Sequence, residues 1–312
     1  MSLMRRSLIA ASQSHWLREH APKYGFMRRT VKRFLPGETE AEAIQAAQAL
    51  ETQKIHTIFT HLGENIADRA EAEAVTQHYL AVQQSIAAAG LRTELSVKLT
   101  QLGLDLDSEL CYANLQRLLE QAPANRVLWI DMEQSPYVDV TLELHRRARA
   151  ARANVGVCVQ AYLYRTERDV EELIAMDASV RLVKGAYSEP AEIAFPVKKD
   201  VDENYAMLAH ELLKADSRRS SAGFRPRTAL ATHDLRLIAS LTKWAQEQEL
   251  PREHVEIQML FGIQRAEQLR LAEAGFRAGV LVAYGAYWFP WFMRRLAERP
   301  ANVGFLVRNL FG

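Results

Sequence analysis

Short apolar runs alternate along most of this chain with longer stretches whose apolar residues recur every third or fourth position. The short runs fall at residues 56–62, 94–99, 127–132, 155–163, 180–187, 228–232, 255–260 and 278–284, and they read as strands. The helical period follows each of them, at 67–89, 108–122, 138–153, 167–176, 202–215, 235–249, 264–274 and 290–298. Gly90 closes the first of these helices. Eight strand-then-helix units in sequence predict an α/β fold, a closed parallel (β/α)8 barrel of the TIM type. An open doubly wound sheet is the alternative. The count of eight argues against it, as does the absence of G-x-G-x-x-G after the first strand.

Residues 1–55 read as a helical extension in front of a barrel domain at 56–312. In the stretch 26–35, apolar residues repeat at helical spacing and Arg28, Arg29, Lys32 and Arg33 lie opposite them. This predicts an amphipathic helix covering the core, or a basic surface resting on anionic lipid. Pro36 and Gly37 end it, and 38–54 reads as a second helix rich in Ala, Glu and Gln.

Composition adds limits rather than chemistry. Hydrophobic residues make up 48% and charged residues 25%, ordinary for a soluble globular chain. The net charge of +1 gives no argument for nucleic acid. Cys111 and Cys158 are far apart, form no metal spacing and read as reduced thiols of a cytoplasmic protein. No apolar run reaches the length of a membrane span, and the basic start is too short and polar for a signal peptide.

A barrel of this kind places its chemistry at the carboxyl ends of its strands. Those ends carry His61, Lys98, Asp131-Met132-Glu133, Gln160, Thr232-His233-Asp234 and Gln258. The fifth, VRLVKGAY, sets Arg181, Lys184 and Tyr187 around Gly185 and Ala186, two residues small enough for a flat ligand to approach the backbone. A metal hydrolase would need converging histidines, and only His61 and His233 are well placed. A Schiff-base aldolase would need one desolvated lysine, for which Lys98 or Lys184 would serve. The excess of Arg, Lys and amide donors fits anions better: a diphosphate and a carboxylate. On the last helix Arg294 and Arg295 diverge by about 100°, so they serve two different anions, with Glu298 one turn on to hold the first. The alternative there is a solvated basic face.

The motifs SVKLTQLGLDLD, WIDMEQS, QAYLYRTERD, VRLVKGAY, ATHD, EIQMLFG and WFMRRLAERPAN resemble, in order and spacing, the monofunctional bacterial proline dehydrogenases, over about residues 20–312. The resemblance implies a distorted barrel that binds FAD at its strand ends. It implies oxidation of L-proline to Δ1-pyrroline-5-carboxylate by hydride transfer to the flavin N5, with electrons passed to a membrane quinone. A pyrroline-5-carboxylate dehydrogenase is the implied pathway partner, and peripheral contact with the inner face of the membrane the implied location. Lys98 and Arg294 then match groups on the substrate carboxylate, Arg295 stands near substrate and flavin, and Glu298 orders the cluster. Asp131 matches an acid on the substrate side that holds Lys98 or an arginine. Met132 matches a residue against the flavin, and Gln160 and Arg181 groups near its ring. Lys184, Gly185 and Ala186 match cofactor contacts, and Thr232 and His233 groups near its ribityl–diphosphate part. Two positions depart from the pattern: Leu281 and Trp291 stand where many members carry tyrosines around the proline ring. The hydroxyls are lost, which opens 4-hydroxyproline, N-methylproline or ornithine as substrates. From other classes, a lysine aldolase and a barrel that binds flavin without turnover remain alternatives.

Overall fold

The computed structural model describes Ser14, His20, Met27 and residues 31–63, 66–219 and 224–298; the side chains of Arg294, Leu296, Ala297 and Glu298 lie outside that description. Among the described residues the helix α1 (Glu40–Glu51) comes first, started by a reciprocal cap in which Thr39 and Glu42 bond each other's backbone N–H. Then β1 (His56–His61), α2 (Arg69–Ala88), β2 (Glu94–Val97), α3 (Ser108–Gln121), β3 (Leu128–Ile130), α4 (Val138–Ala151), β4 (Val155–Gln160) and α5 (Thr166–Ala175) follow. The second half runs β5 (Ser179–Val183), α6 (Lys198–Ser217), β6 (Thr228–Ala231), α7 (Leu235–Glu247), β7 (Glu256–Leu260), α8 (Arg265–Glu273), β8 (Arg277–Tyr284) and α9 (Trp288–Glu298). The strands close into one parallel barrel in chain order, with β8 registered on β1 from His56 opposite Gly279 to His61 opposite Tyr284.

Alternation along each strand divides the barrel into two spaces. Phe59, Leu95, Val97, Ile130, Val157, Val180, Leu182, Val280 and Val282 join the main core with the helices. Ile58, Val127, Trp129 and Ala229 form a small apolar centre inside, against which Leu281 packs. Gly156 is required there, because a Cβ on it would stand 2.7 Å from the Trp129 ring.

Below Trp129 the strand starts are ionic. Arg227 donates to Glu94 at 2.5 Å and to Glu256 at 2.5 Å. His56 and Arg277 each reach Glu256 at 3.0 Å. Burial pushes both carboxyls up, and the Arg227 guanidinium overrides it, holding Glu94 below and Glu256 well below the usual carboxylate range. The base of the barrel is thus a satisfied polar plug, leaving the opposite end for a ligand.

The stretch 26–35 covers the core in its described part. Met27, Val31, Phe34 and Leu35 are buried with Leu62, Leu260 and Ala283 at the ends of β1, β7 and β8, and with Trp288, Trp291 and Phe292 of α9. Lys32 and Arg33 are exposed, whereas Arg28 and Arg29 lie outside the described residues. The turn after β7 fits closely under this segment: Gly262 has φ +73°, and a Cβ there would lie 1.6 Å from the Arg33 carbonyl oxygen. Among the described residues no helix is long and apolar enough to cross a membrane.

Candidate active site

Arg181 points inward from β5 and is 4% exposed. Its Nη1 donates to Ser96 Oγ at 2.8 Å and to Asp131 Oδ1 at 3.1 Å, and Ser96 Oγ donates to the same Oδ1 at 2.6 Å. The guanidinium carbon lies 4.7 Å from the centre of the Trp129 ring. Nε and Nη2 are buried and have no hydrogen-bond partner among the described residues. Two unsatisfied cationic donors at one buried edge are costly, and a ligand acceptor there would remove the cost.

The neighbouring strand ends supply further groups. Gln160, also buried, donates from Nε2 to the Glu133 carbonyl at 2.9 Å. Met132, between Asp131 and Glu133, belongs to the main core. Burial lifts Glu133 above the usual carboxylate range, against the pull of Lys98, and its carboxylate accepts from the Thr100 amide and hydroxyl. Lys98 is half-buried, and its ammonium makes no hydrogen bond or ion pair among the described residues. Burial first, then the charges of His78 and Lys98, bring His61 down to about 4, so that it is neutral at pH 7.

Past β5 the chain leaves the sheet at Gly185, whose φ of +114° suits glycine. A Cβ on Gly185 would stand 2.1 Å from the Tyr162 ring, so the ring packs closely against the backbone there. Ala186 beside it is half-buried. The Lys184 ammonium is taken up internally, by Asp202 at 2.5 Å and Asp234 at 2.9 Å, with Lys198 closing the cluster. Burial raises Asp234, and the Lys184 hydrogen bond and charge outweigh it, leaving it at about 2. Thr232 Oγ1 accepts from the Asp234 amide, and His233 Nε2 accepts from the Leu260 amide at 2.9 Å. A cavity of about 550 Å3 opens beside His233, Asp234, Lys198 and Gln264.

Leu281 is half-buried on the inward side of β8 and packs both on the apolar centre and on the cluster that includes Trp291. Arg295 lies with its guanidinium 5.9 Å from the Trp291 ring. Arg294 and Glu298 belong to α9, but their side chains lie outside the described residues. The fold therefore gathers Lys98, Asp131, Gln160, Arg181, Thr232 and His233 at one end of the barrel. Sequence reasoning missed Ser96 and Trp129 as partners of Arg181, and Asp202 as a partner of Lys184. Ser96 and Trp129 sit inside apolar strand runs, where nothing in spacing distinguishes them from filler.

Comparison with known proteins gives the same direction throughout. Residues 43–308 match the family described as Proline dehydrogenase. The chain is 36% identical over 310 residues to Proline dehydrogenase 1 of Bacillus subtilis (strain 168), covering 99% of each chain. It is 36% identical over 290 residues to the proline dehydrogenase of Deinococcus radiodurans, covering 91% of each. Over 330 residues it is 27% identical to the bifunctional protein PutA of Escherichia coli (strain K12), covering 90% of this chain and 24% of that one. Among solved structures, proline utilization A from Bdellovibrio bacteriovorus, inactivated by N-propargylglycine, shares the fold with a TM-score of 0.78 at 22% identity, over 95% of this chain and 36% of that one.

Proposed function

Because the chain belongs to the proline dehydrogenase family, we propose that it oxidises L-proline to Δ1-pyrroline-5-carboxylate with FAD held at the carboxyl end of the barrel. The observation that carries the cofactor is Arg181. It presents two buried donors without hydrogen-bond partners among the described residues, on a strand whose neighbour ends in Gln160, a fit for the carbonyl and nitrogen edge of a flavin ring. When bound, the flavin would supply the hydride acceptor: the hydride would leave the ring CH2 carbon next to the nitrogen, not the carbon that bears the carboxylate, and one proton would leave the nitrogen as the C=N bond forms.

The chain's own residues do the rest. Lys98, whose ammonium has no hydrogen bond or ion pair among the described residues, receives the proline carboxylate together with Arg294 and Arg295 of α9, and Glu298 orders that pair. Asp131 ties Arg181 in place from the substrate side. His233 borders the cavity that suits the ribityl–diphosphate part and Thr232 precedes it just past the end of β6, with Lys184 bracing the loop through its two aspartates while Gly185 and Ala186 offer backbone to the cofactor. Met132 backs the flavin from the third strand end. Leu281 and Trp291 wall the substrate ring.

Flavin analysis tests this reading. Purified protein should be yellow, and acid precipitation should release FAD. A colourless protein that FAD does not reconstitute would return the site to lysine chemistry at Lys98. We assign the electrons to a membrane quinone met at the surface, at the inner face of the membrane, and the product to a pyrroline-5-carboxylate dehydrogenase. Turnover with a short-chain quinone checks the acceptor, and salt-sensitive flotation with anionic liposomes checks the membrane contact.

A further inference from the structure

Trp129 is wholly buried at the barrel centre, and the reaction above gives it no task. Its surroundings hold it still. The indole N–H donates to Glu94 Oε2 at 2.8 Å, and Arg227 clamps that same oxygen at 2.5 Å. Gly156 leaves room for the ring and no more. Two guanidiniums lie near the ring, Arg181 at 4.7 Å and Arg227 at 5.3 Å from its centre. The face of an aromatic ring attracts a cation and favours a stacked guanidinium.

Ser96 is equally buried, two residues before Lys98 on β2. A serine hydroxyl has one proton. Ser96 places it on Asp131, whose carboxylate only accepts, and so its oxygen is left to accept from Arg181 Nη1. Nη1 of Arg181 is thereby held by two oxygens, from β2 and from the residue after β3, and its guanidinium carbon lies 4.7 Å from the centre of the indole ring. The remaining edge, Nε and Nη2, is the one without hydrogen-bond partners among the described residues.

We propose that Ser96 and Trp129 are positioning residues that aim the Nε–Nη2 edge of Arg181 at the flavin, an inference that rests on the FAD reading above. A fixed cation beside a ring that becomes more negative on reduction favours the reduced form. A cation free to swing away favours it less.

The test is the midpoint potential of the bound flavin, read against a reference dye, with FAD content and thermal midpoint measured for each variant. Ser96→Ala and Trp129→Leu should each shift the reduction equilibrium about tenfold toward the oxidised flavin, about 30 mV lower for a two-electron couple. Trp129→Phe, which keeps an aromatic face but loses the N–H, should stay near wild type. In an Arg181→Met background Ser96→Ala should add no further shift, because both changes act through one group. An unmoved potential in Ser96→Ala, or the same shift with and without Arg181, would overturn the inference. If Trp129→Leu fails to fold, Ser96→Ala decides alone. A wild-type chain that takes up no FAD overturns the functional reading and this inference with it; a normal wild-type potential with unmoved variants overturns only the inference.

Discussion

Lys98 is a half-buried ammonium with no internal partner among the described residues, and that makes it the simplest residue to test. A hydrogen bond to a charged group contributes about 1.5–3 kcal/mol. Lys98→Met should therefore lower kcat/KM for proline about 10- to 100-fold while FAD stays bound. Prolinamide, which lacks the carboxylate, should be a poor substrate of the wild type; prolinamide oxidised as well as proline would show that Lys98 meets no carboxylate. Leu281 makes a second residue-scale case. Tyr284, three positions on, cannot replace the aromatic ring that Leu281 lacks, since it lies in the main core with its hydroxyl on His78 at 2.8 Å. A leucine leaves more room beside the substrate ring than a tyrosine, and an apolar wall rejects an added hydroxyl weakly. Trans-4-hydroxyproline should be oxidised measurably, and Leu281→Tyr should narrow the profile toward proline; an equal ratio of kcat/KM values in the two enzymes would place Leu281 away from the substrate. The strand-end residues were legible because each is a polar side chain closing an apolar run. Ser96 and Trp129 were not, because their meaning comes from Arg181, on another strand and 85 residues from Ser96 in the chain.

At the scale of elements, the plug under the barrel ties the starts of β1, β2, β6, β7 and β8 together through Glu94, Arg227 and Glu256. Arg227→Met removes the cation between two buried carboxylates and should cost about 3–5 kcal/mol at neutral pH. The pH dependence changes sign with it. In the wild type the depressed carboxyls contribute stability above their unfolded pKa of about 4.3, and that stability is lost as pH falls through their folded values. In the variant, burial of Glu94 is unopposed by its nearest cation and lifts its folded pKa above the unfolded one, so stability falls as pH rises. Thermal midpoints should put the variant closer to the wild type at pH 5 than at pH 8; a constant gap would mean that the carboxylates do not titrate with folding. A second element-scale test uses the seat of the N-terminal segment. Gly262→Ala adds a Cβ against the Arg33 carbonyl in a left-handed conformation, and it should lower the thermal midpoint and increase proteolysis near 31–35. Sequence reading placed every strand and helix of the barrel but drew some ends wrongly. The fifth strand stops at Val183 rather than 187, since Gly185 needs a positive φ outside the sheet. The helix α6 starts at Lys198 rather than 202, because the run Lys198, Lys199, Asp200 reads as a polar loop until Lys198 pairs with Asp202 one turn on.

For the whole molecule, closure was legible from the count of eight units, because a parallel sheet of that number with a helix after each strand has one compact solution. The seat of the segment near 31–35 was not. Its partners are Leu62, Leu260, Ala283 and α9, and only the closed barrel brings them together. The same closure brings the eight strand ends to one rim, which is why the proposed chemistry belongs to this scale. The most direct measurement of it is anaerobic titration of the FAD-loaded protein with L-proline, followed by the visible flavin spectrum and by trapping of the product. Proline should bleach the flavin band and yield one equivalent of Δ1-pyrroline-5-carboxylate per flavin reduced. A flavin that dithionite bleaches and proline leaves oxidised would contradict the account.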